Sequence, residues 1–205
     1  MLRSMRDEAM ATDDQMDPRV RRAAAGDREA FAELMEDELP RVWRVVWRIL
    51  RHDQDTEDVV QDVFLQVHRA LPRFRGEARF STWLHRIAVN RALNHHDRAA
   101  ERLRRASRPI DEAPDDAAGV KHGLALAAGA PTPLHALEVK ELQQRLAVCL
   151  EKLPAAWRAV LALRDAEVMS YQEIAATLGS ALGTVRSRLA RTRLFLKRCV
   201  EGQPA

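Results

Sequence analysis

Residues 170–193 read SYQEIAATLGSALGTVRSRLARTR. Ser170 followed three residues later by Glu173 is the pattern of a capping box, and it opens a short helix carrying Ile174 and Leu178. Gly179 ends that helix, and a second helix begins after Ala181. Two helices that cross tightly need a small residue at their contact, a glycine at the turn and a branched apolar anchor on the second helix. Ala175, Gly179 and Val185, spaced four and six apart, meet that requirement for a helix-turn-helix. Leu182 and Leu189 complete the buried faces. The second helix carries Arg186, Arg188, Arg191 and Arg193 and no acid. A solvated helix face ordinarily mixes both signs, whereas a helix that approaches a polyanion does not. The anchoring leaves Arg186, Ser187, Arg191 and Ala190 to project toward a major groove, with Arg188 and Arg193 at the phosphates. Taken alone, the pattern also fits a basic amphipathic helix in another kind of bundle, or one lying on a membrane.

Upstream, "LHALEVKELQQRLAVCLEKL" is a helix closed by Pro154, and "AAWRAVLALRDAE" is another, holding Trp157, Val160, Leu161 and Leu163. Residues 97–136 break this periodicity. A basic "RAAERLRRASR", an acidic "DEAPDD" and a Gly- and Pro-punctuated "AAGVKHGLALAAGAPTP" have the composition of a flexible linker. Before it, helical spacing returns. Pro18 suits a first helical turn, Asp27 caps a helix with Phe31, Leu34 and Met35, and Pro40 is expected to interrupt it. "RVWRVVWRILR" follows, with Trp43 and Trp47 one turn apart as core or groove-lining residues and Arg41, Arg44, Arg48 and Arg51 on the other side. In "HDQDTEDVVQDVFLQVHRAL" the acids gather at the N-terminal end, where the helix dipole favours them, and Pro72 ends the helix. "RFRGEARF" is a basic loop pivoting on Gly76. Ser81 is expected to cap the next helix, which turns Trp83, Leu84, Ile87 and Ala88 inward and Arg86, Asn90, Arg91 and Asn94 outward.

No strand-like alternation occurs, so the expected fold is all-α: a polar tail (1–17), a helical domain (18–96), a linker (97–136) and a second helical domain (137–200). The net charge of the 205 residues is only +3, so placement of charge says more than its total. Cys149 and Cys199 stand far apart, form no C-x-x-C pair and sit among apolar residues, which predicts buried free thiols in a reducing compartment. His85, His95 and His96 lack a third well-placed ligand for a metal. No catalytic motif is evident, so neither an enzyme nor a cofactor site is expected. No apolar run approaches the roughly 20 residues that span a bilayer, and the N-terminus has no signal-peptide core, so a soluble cytoplasmic protein is expected.

Three stretches in order, "GDREAFAELMEDELPRVWRVVWRIL", "DTEDVVQDVFLQVHRALPRFRG" and "FSTWLHRIAVNRALNHH", closely resemble region 2 of bacterial sigma factors of the extracytoplasmic-function group. "LPAAWRAVLALRDAEVMSYQEIAATLGSALGTVRSRLARTR" resembles region 4 of the same group. The resemblance covers about residues 18–96 and 137–198. It implies a dissociable sigma factor, monomeric when free, that binds core RNA polymerase through its β′ and β subunits and directs it to promoter DNA. The "DVVQD" stretch then places Asp58, Gln61, Asp62 and Leu65 on the β′ docking face. The matching −10 residues are Arg73, Arg75, Arg79, Trp83, Arg86, Asn90 and Asn94, with Asn90 the best candidate to read an extruded base. Thr184, Arg186, Ser187, Arg188, Arg191 and Arg193 match the −35 reader. An anti-sigma factor is implied as the inhibitor, clamping the two domains together. The family commonly has Ser or Pro at the start of its recognition helix, where this chain has Ala181. Two other classes fit parts of the sequence. A stand-alone helix-turn-helix regulator explains residues 170–193 but leaves the acidic helix without a role. An interaction adaptor would use the acidic helix and bind an acidic protein with the Arg-rich one.

Overall fold

The computed structural model describes residues 17–106 and 133–203. Its helices are α1 (Pro18–Ala24), α2 (Arg28–Leu50), α3 (Asp53–Ala70), α4 (Phe80–Ala106), α5 (Pro133–Glu151), α6 (Ala155–Asp165), α7 (Tyr171–Leu178) and α8 (Leu182–Val200), with a 3-10 turn at Leu71–Arg73. No strand occurs among the described residues.

The local sequence accounts for most helix ends. Pro18 occupies the first turn of α1, and Asp17 accepts the Arg19 amide. Asp27 caps α2 by accepting from the amides of Glu29 and Ala30. His52 caps α3 through its ring nitrogen, ahead of Asp53 and Asp55 in the first turn. Three expectations are corrected. Pro40 does not divide α2, which runs unbroken for 23 residues. Proline removes one amide donor, and at this exposed position water can serve the freed carbonyl, while Leu34, Met35, Val42 and Val45 stay locked in the core on either side. Ser81 is not a cap: α4 begins at Phe80, with the Trp83 amide donating to the Arg79 carbonyl. The basic stretch after Asp97 continues α4 to Ala106 rather than dissolving into a linker there.

In the N-terminal unit α2 packs against α1, α3 and α4, and α3 against α4. Val42, Val45, Val46, Ile49, Val63, Val67 and Leu84 are wholly buried. Each such side chain contributes roughly 1.5–3 kcal/mol relative to exposure. In the C-terminal unit α8 packs on α5, α6 and α7. The two units are not strung apart. α6 lies on α2 and α4, and α7 on α4, so that Ala159, Val160, Leu163 and Ile174 join one continuous apolar core with the N-terminal helices.

The cysteines overturn the free-thiol reading. Cys149 near the end of α5 and Cys199 near the end of α8 form a disulfide, with Cα atoms 5.9 Å apart. The pairing was invisible in the sequence because the two lie 50 residues apart and meet only through the packing of α5 on α8.

Candidate nucleic-acid interface

The helix-turn-helix forms as its spacing requires. Ser170 accepts the Glu173 amide, and the Glu173 carboxylate accepts the Ser170 amide at 2.8 Å. These bonds hold the Glu173 carboxyl below its usual pKa. Gly179 takes φ +57, the left-handed conformation that suits glycine. Val185 is completely buried and Ala175 partly so, while Leu182 and Leu178 are half-buried. On α8, Arg186, Ser187, Ala190, Arg191 and Arg193 are exposed, and Thr184 and Arg188 half-buried. The Ser187 hydroxyl donates to the Thr184 carbonyl at 3.0 Å, which leaves its oxygen available as an acceptor. Arg193 is not a free phosphate contact in this arrangement, because Asp165 of α6 lies 3.5 Å from it. Ala181 stands at the N-cap of α8 and provides no side-chain bond.

On the N-terminal unit the second basic surface is assembled from the loop before α4 and from α4 itself. Arg73, Arg75, Arg79, Arg86, Asn90 and Asn94 are all exposed. Trp83 is half-buried in an aromatic cluster, its ring centroid 4.9 Å from Phe74 and 5.8 Å from Phe80. Gly76, at φ +70 and buried, turns the loop back so that Phe74 and Phe80 meet the same tryptophan. Arg73, Arg75, Trp83 and Arg86 border a cavity of about 430 Å³ whose far wall is Ala176 and Thr177 of α7. An extruded base is apolar on its faces and polar at its edge, and an aromatic wall rimmed by guanidiniums suits both. Here α7 shares that space.

The third surface is on α3. Asp58, Gln61, Asp62 and Leu65 are exposed along one side of the helix, while Val59, Val60, Val63 and Val67 fill the core on the other. Leu65 is 55% exposed and is the apolar member of this ridge of acidic and amide groups. Sequence reasoning did not foresee the brace beside it: Arg91 of α4 donates to Gln66 at 2.6 Å and lies 3.8 Å from Asp62.

Also unforeseen is the polar contact where the two units meet. Glu167, its side chain 8% exposed, lies 3.6 Å from Arg44 and 3.5 Å from His85. Burial, aided by the charge of Arg41, pushes the His85 pKa down to about 4, so the imidazole is neutral at pH 7 and this contact is not an ion pair. Burial likewise raises the Glu167 carboxyl. No sequence signal announces this cluster, because its members come from α2, α4 and the α6–α7 turn. No group of three His, Cys, Asp or Glu that could hold a metal occurs among the described residues.

Residues 34–102 match the family described as Sigma-70 region 2, and residues 143–196 match Sigma-70, region 4. The chain is 32% identical to the RNA polymerase sigma-H factor of Pseudomonas aeruginosa over 94% of its length and 97% of that protein's. It is 37% identical to the ECF RNA polymerase sigma-E factor of Escherichia coli K12 over 85% of its length and 88% of that protein's. In fold it is similar to CnrH in complex with the cytosolic domain of CnrY, with TM-score 0.59 and 24% identity over 91% of this chain and 97% of that one. It is also similar to the sigma factor RpoE bound to the anti-sigma factor NepR from Bartonella quintana, with TM-score 0.60 and 20% identity over 83% and 96%.

Proposed function

Since the chain belongs to the sigma-70 family, in its extracytoplasmic-function branch, it is a promoter-directing sigma factor, and we propose how its surfaces divide that work. The α3 ridge of Asp58, Gln61, Asp62 and Leu65 docks on the β′ subunit of core polymerase. Acidic and amide groups flanking an exposed leucine suit a partner that is basic around an apolar spot. The exposed leucine on an otherwise polar ridge is the observation that carries this assignment. Asn90 reads an extruded base of the −10 element, with Arg73, Arg75, Arg79, Arg86 and Asn94 around it and Trp83 walling the pocket. On α8, Arg186, Ser187 and Arg191 read the −35 element beside Thr184, with Arg188 at the phosphates and Arg193 joining it on leaving Asp165. Duplex melting draws on polymerase contacts and base capture, so the chain contributes no catalytic step and works in the cytoplasm, where the polymerase is.

The packed arrangement is read as the inactive one. Elements named −10 and −35 lie about 25 base pairs apart, roughly 80 Å at 3.4 Å per pair. With α7 against α4, the two reading surfaces are within a few helix diameters of each other, each about 10–12 Å. Promoter binding therefore requires the units to part. An anti-sigma factor acts by holding the units together.

The test is run-off transcription with core polymerase. Wild type is expected to give a defined transcript that disappears with the Asp58→Arg/Gln61→Ala pair and falls with Asn90→Ala. Full transcription by the Asp58→Arg/Gln61→Ala protein would remove the docking assignment.

A further inference from the structure

The seam between the two units holds a second cavity, of about 450 Å³, bounded by α2, α5, α6 and α8 and remote from the −10 loop. Its walls are apolar: Trp43, Trp47, Leu146, Leu150, Leu161 and Leu196. The two indoles are stacked, 12° from parallel with centroids 6.1 Å apart, and form one flat side.

The polar groups in this apolar space are nearly all cations. Arg44 and Arg193 have carboxylate partners in Glu167 and Asp165. Arg48, Arg51 and Arg158 have none within ion-pair distance among the described residues; the nearest acids, Glu151, Asp165 and Glu167, act on them only from farther away. Arg158 is 7% exposed, and among the described residues its guanidinium makes one hydrogen bond, a long one of 3.3 Å to the Glu151 carbonyl. The Nε atoms of Arg158 and Arg51 are buried with no hydrogen-bond partner among the described residues. Arg51 lies over the Trp47 ring at 4.2 Å, which relieves part of its charge but accepts none of its hydrogen bonds. Burial holds all three guanidiniums below the ordinary arginine pKa, and repulsion within the group adds to it: Arg44 on Arg48, Arg48 on Arg51, Arg51 on Arg158.

One buried and two half-buried guanidiniums crowded on an apolar wall are poorly compensated without a counter-ion, and guanidiniums match carboxylate and phosphate oxygens in geometry. We infer that this cavity is a binding site for a small amphipathic organic anion, a carboxylate or phosphate carried on an apolar body. The anionic head meets Arg48, Arg51 and Arg158, and the body lies along Trp43 and Trp47. The volume is that of a typical small-molecule pocket. Both units build the walls, so a bound ligand favours the packed arrangement by its differential affinity for it.

The experiment titrates the full chain with octanoate and with octyl phosphate, following tryptophan fluorescence and the melting temperature. Inorganic phosphate supplies the head alone and 1-octanol the body alone. Saturable binding is expected for both amphiphiles, with a higher melting temperature, and the tighter of the two identifies the head group. Octanol and inorganic phosphate should each bind at least about tenfold more weakly. Arg48→Gln/Arg51→Gln should weaken amphiphile binding by at least about tenfold while leaving the melting temperature of the free protein unchanged or raised, since it removes uncompensated charge. Arg48→Gln alone, at a half-exposed side chain, carries the test if the double variant does not fold. Octanol binding as well as octanoate, unchanged binding by the variants, or no saturable binding of either amphiphile overturns the site. None of these readouts depends on transcription.

Discussion

The N-terminal unit is stabilised by its own interior, and the C-terminal unit is stabilised from outside. In the first, α2 touches α1, α3 and α4, and a run of valines, Ile49 and Leu84 is fully buried, with α6 covering one side of α2. In the second, α6 and α7 turn Ala159, Val160, Leu163 and Ile174 into a core shared with the N-terminal helices, and α5 packs chiefly on α8, fastened by Cys149–Cys199. In the proposed parting of the units, the C-terminal unit cannot hold all its stability in its partner. The packing of α8 on α5, α6 and α7, the disulfide and the helix caps are the parts of its stability that travel with it.

Reduction is the strongest way to break that contrast. Closing a loop of this length is worth about 4 kcal/mol in the chain-entropy account. Dithiothreitol, or Cys149→Ala/Cys199→Ala, should therefore destabilise residues 137–200 by about that much and leave 18–96 almost untouched. Hydrogen exchange resolved by segment checks it. Equal loss of protection in both units would mean that they unfold as one body and that the division drawn above is false.

Acid attacks the seam. The His85 pKa is about 4 in the packed protein against 6.5 for a free imidazole, so the unfolded chain binds a proton that the packed state refuses. Stability is then full above pH 6.5 and is lost as pH falls from 6.5 toward 4, by on the order of 3 kcal/mol. Glu167 works the other way: its raised pKa favours the packed state at low pH and offsets part of the loss. The melting temperature should fall between pH 7 and pH 5 in the wild type. In His85→Leu that fall should vanish or reverse. An identical profile in the two proteins would assign the acid sensitivity to other groups.

Gly179 tests the helix-turn-helix on its own. Nothing lies within 4 Å of the position of an added Cβ, so the cost of Gly179→Ala is the backbone's alone. At φ +57 that cost is roughly 1–2 kcal/mol. It should appear as earlier melting of the C-terminal unit, with −35 duplex binding unchanged once the unit is folded. Weakened binding at a temperature where the unit is intact would mean that the turn itself is displaced.

What the sequence made legible follows from what short-range chemistry can encode. The capping box at Ser170, the Asp27 cap, the left-handed Gly179 and the buried Val185 were readable because each depends on neighbours within one or two turns. The exposed faces of α3, α4 and α8 were readable from helical period. Pro40 misled because a proline's local cost was outweighed by apolar packing on both sides of it, which lies beyond the reach of local rules. The disulfide, the Glu167–His85 contact and the arginine-lined cavity were all illegible for one reason: each is made by helices distant in sequence. They also gather on the C-terminal unit and its seam, the part of the molecule least determined by its own segments.

The smallest effect expected bears on the one place where the reading helix lacks what its neighbour has. Ser170 closes the N-terminus of α7 with two reciprocal bonds, whereas Ala181 leaves the first amides of α8 without a side-chain acceptor. Ala181 already has φ −65 and ψ 146, the extended geometry that a capping residue adopts, so Ala181→Ser needs no backbone change. The hydroxyl should accept from the Gly183 or Thr184 amide and add about 1 kcal/mol to the C-terminal unit. The gain should be larger in the reduced protein as a share of what remains, because the unit then relies more heavily on its caps. Binding to −35 DNA should hold or improve slightly, since the first turn of α8 presents Thr184 and Arg186. A melting temperature unmoved by the substitution would show that water or DNA, rather than the chain, is the acceptor those amides are built to meet.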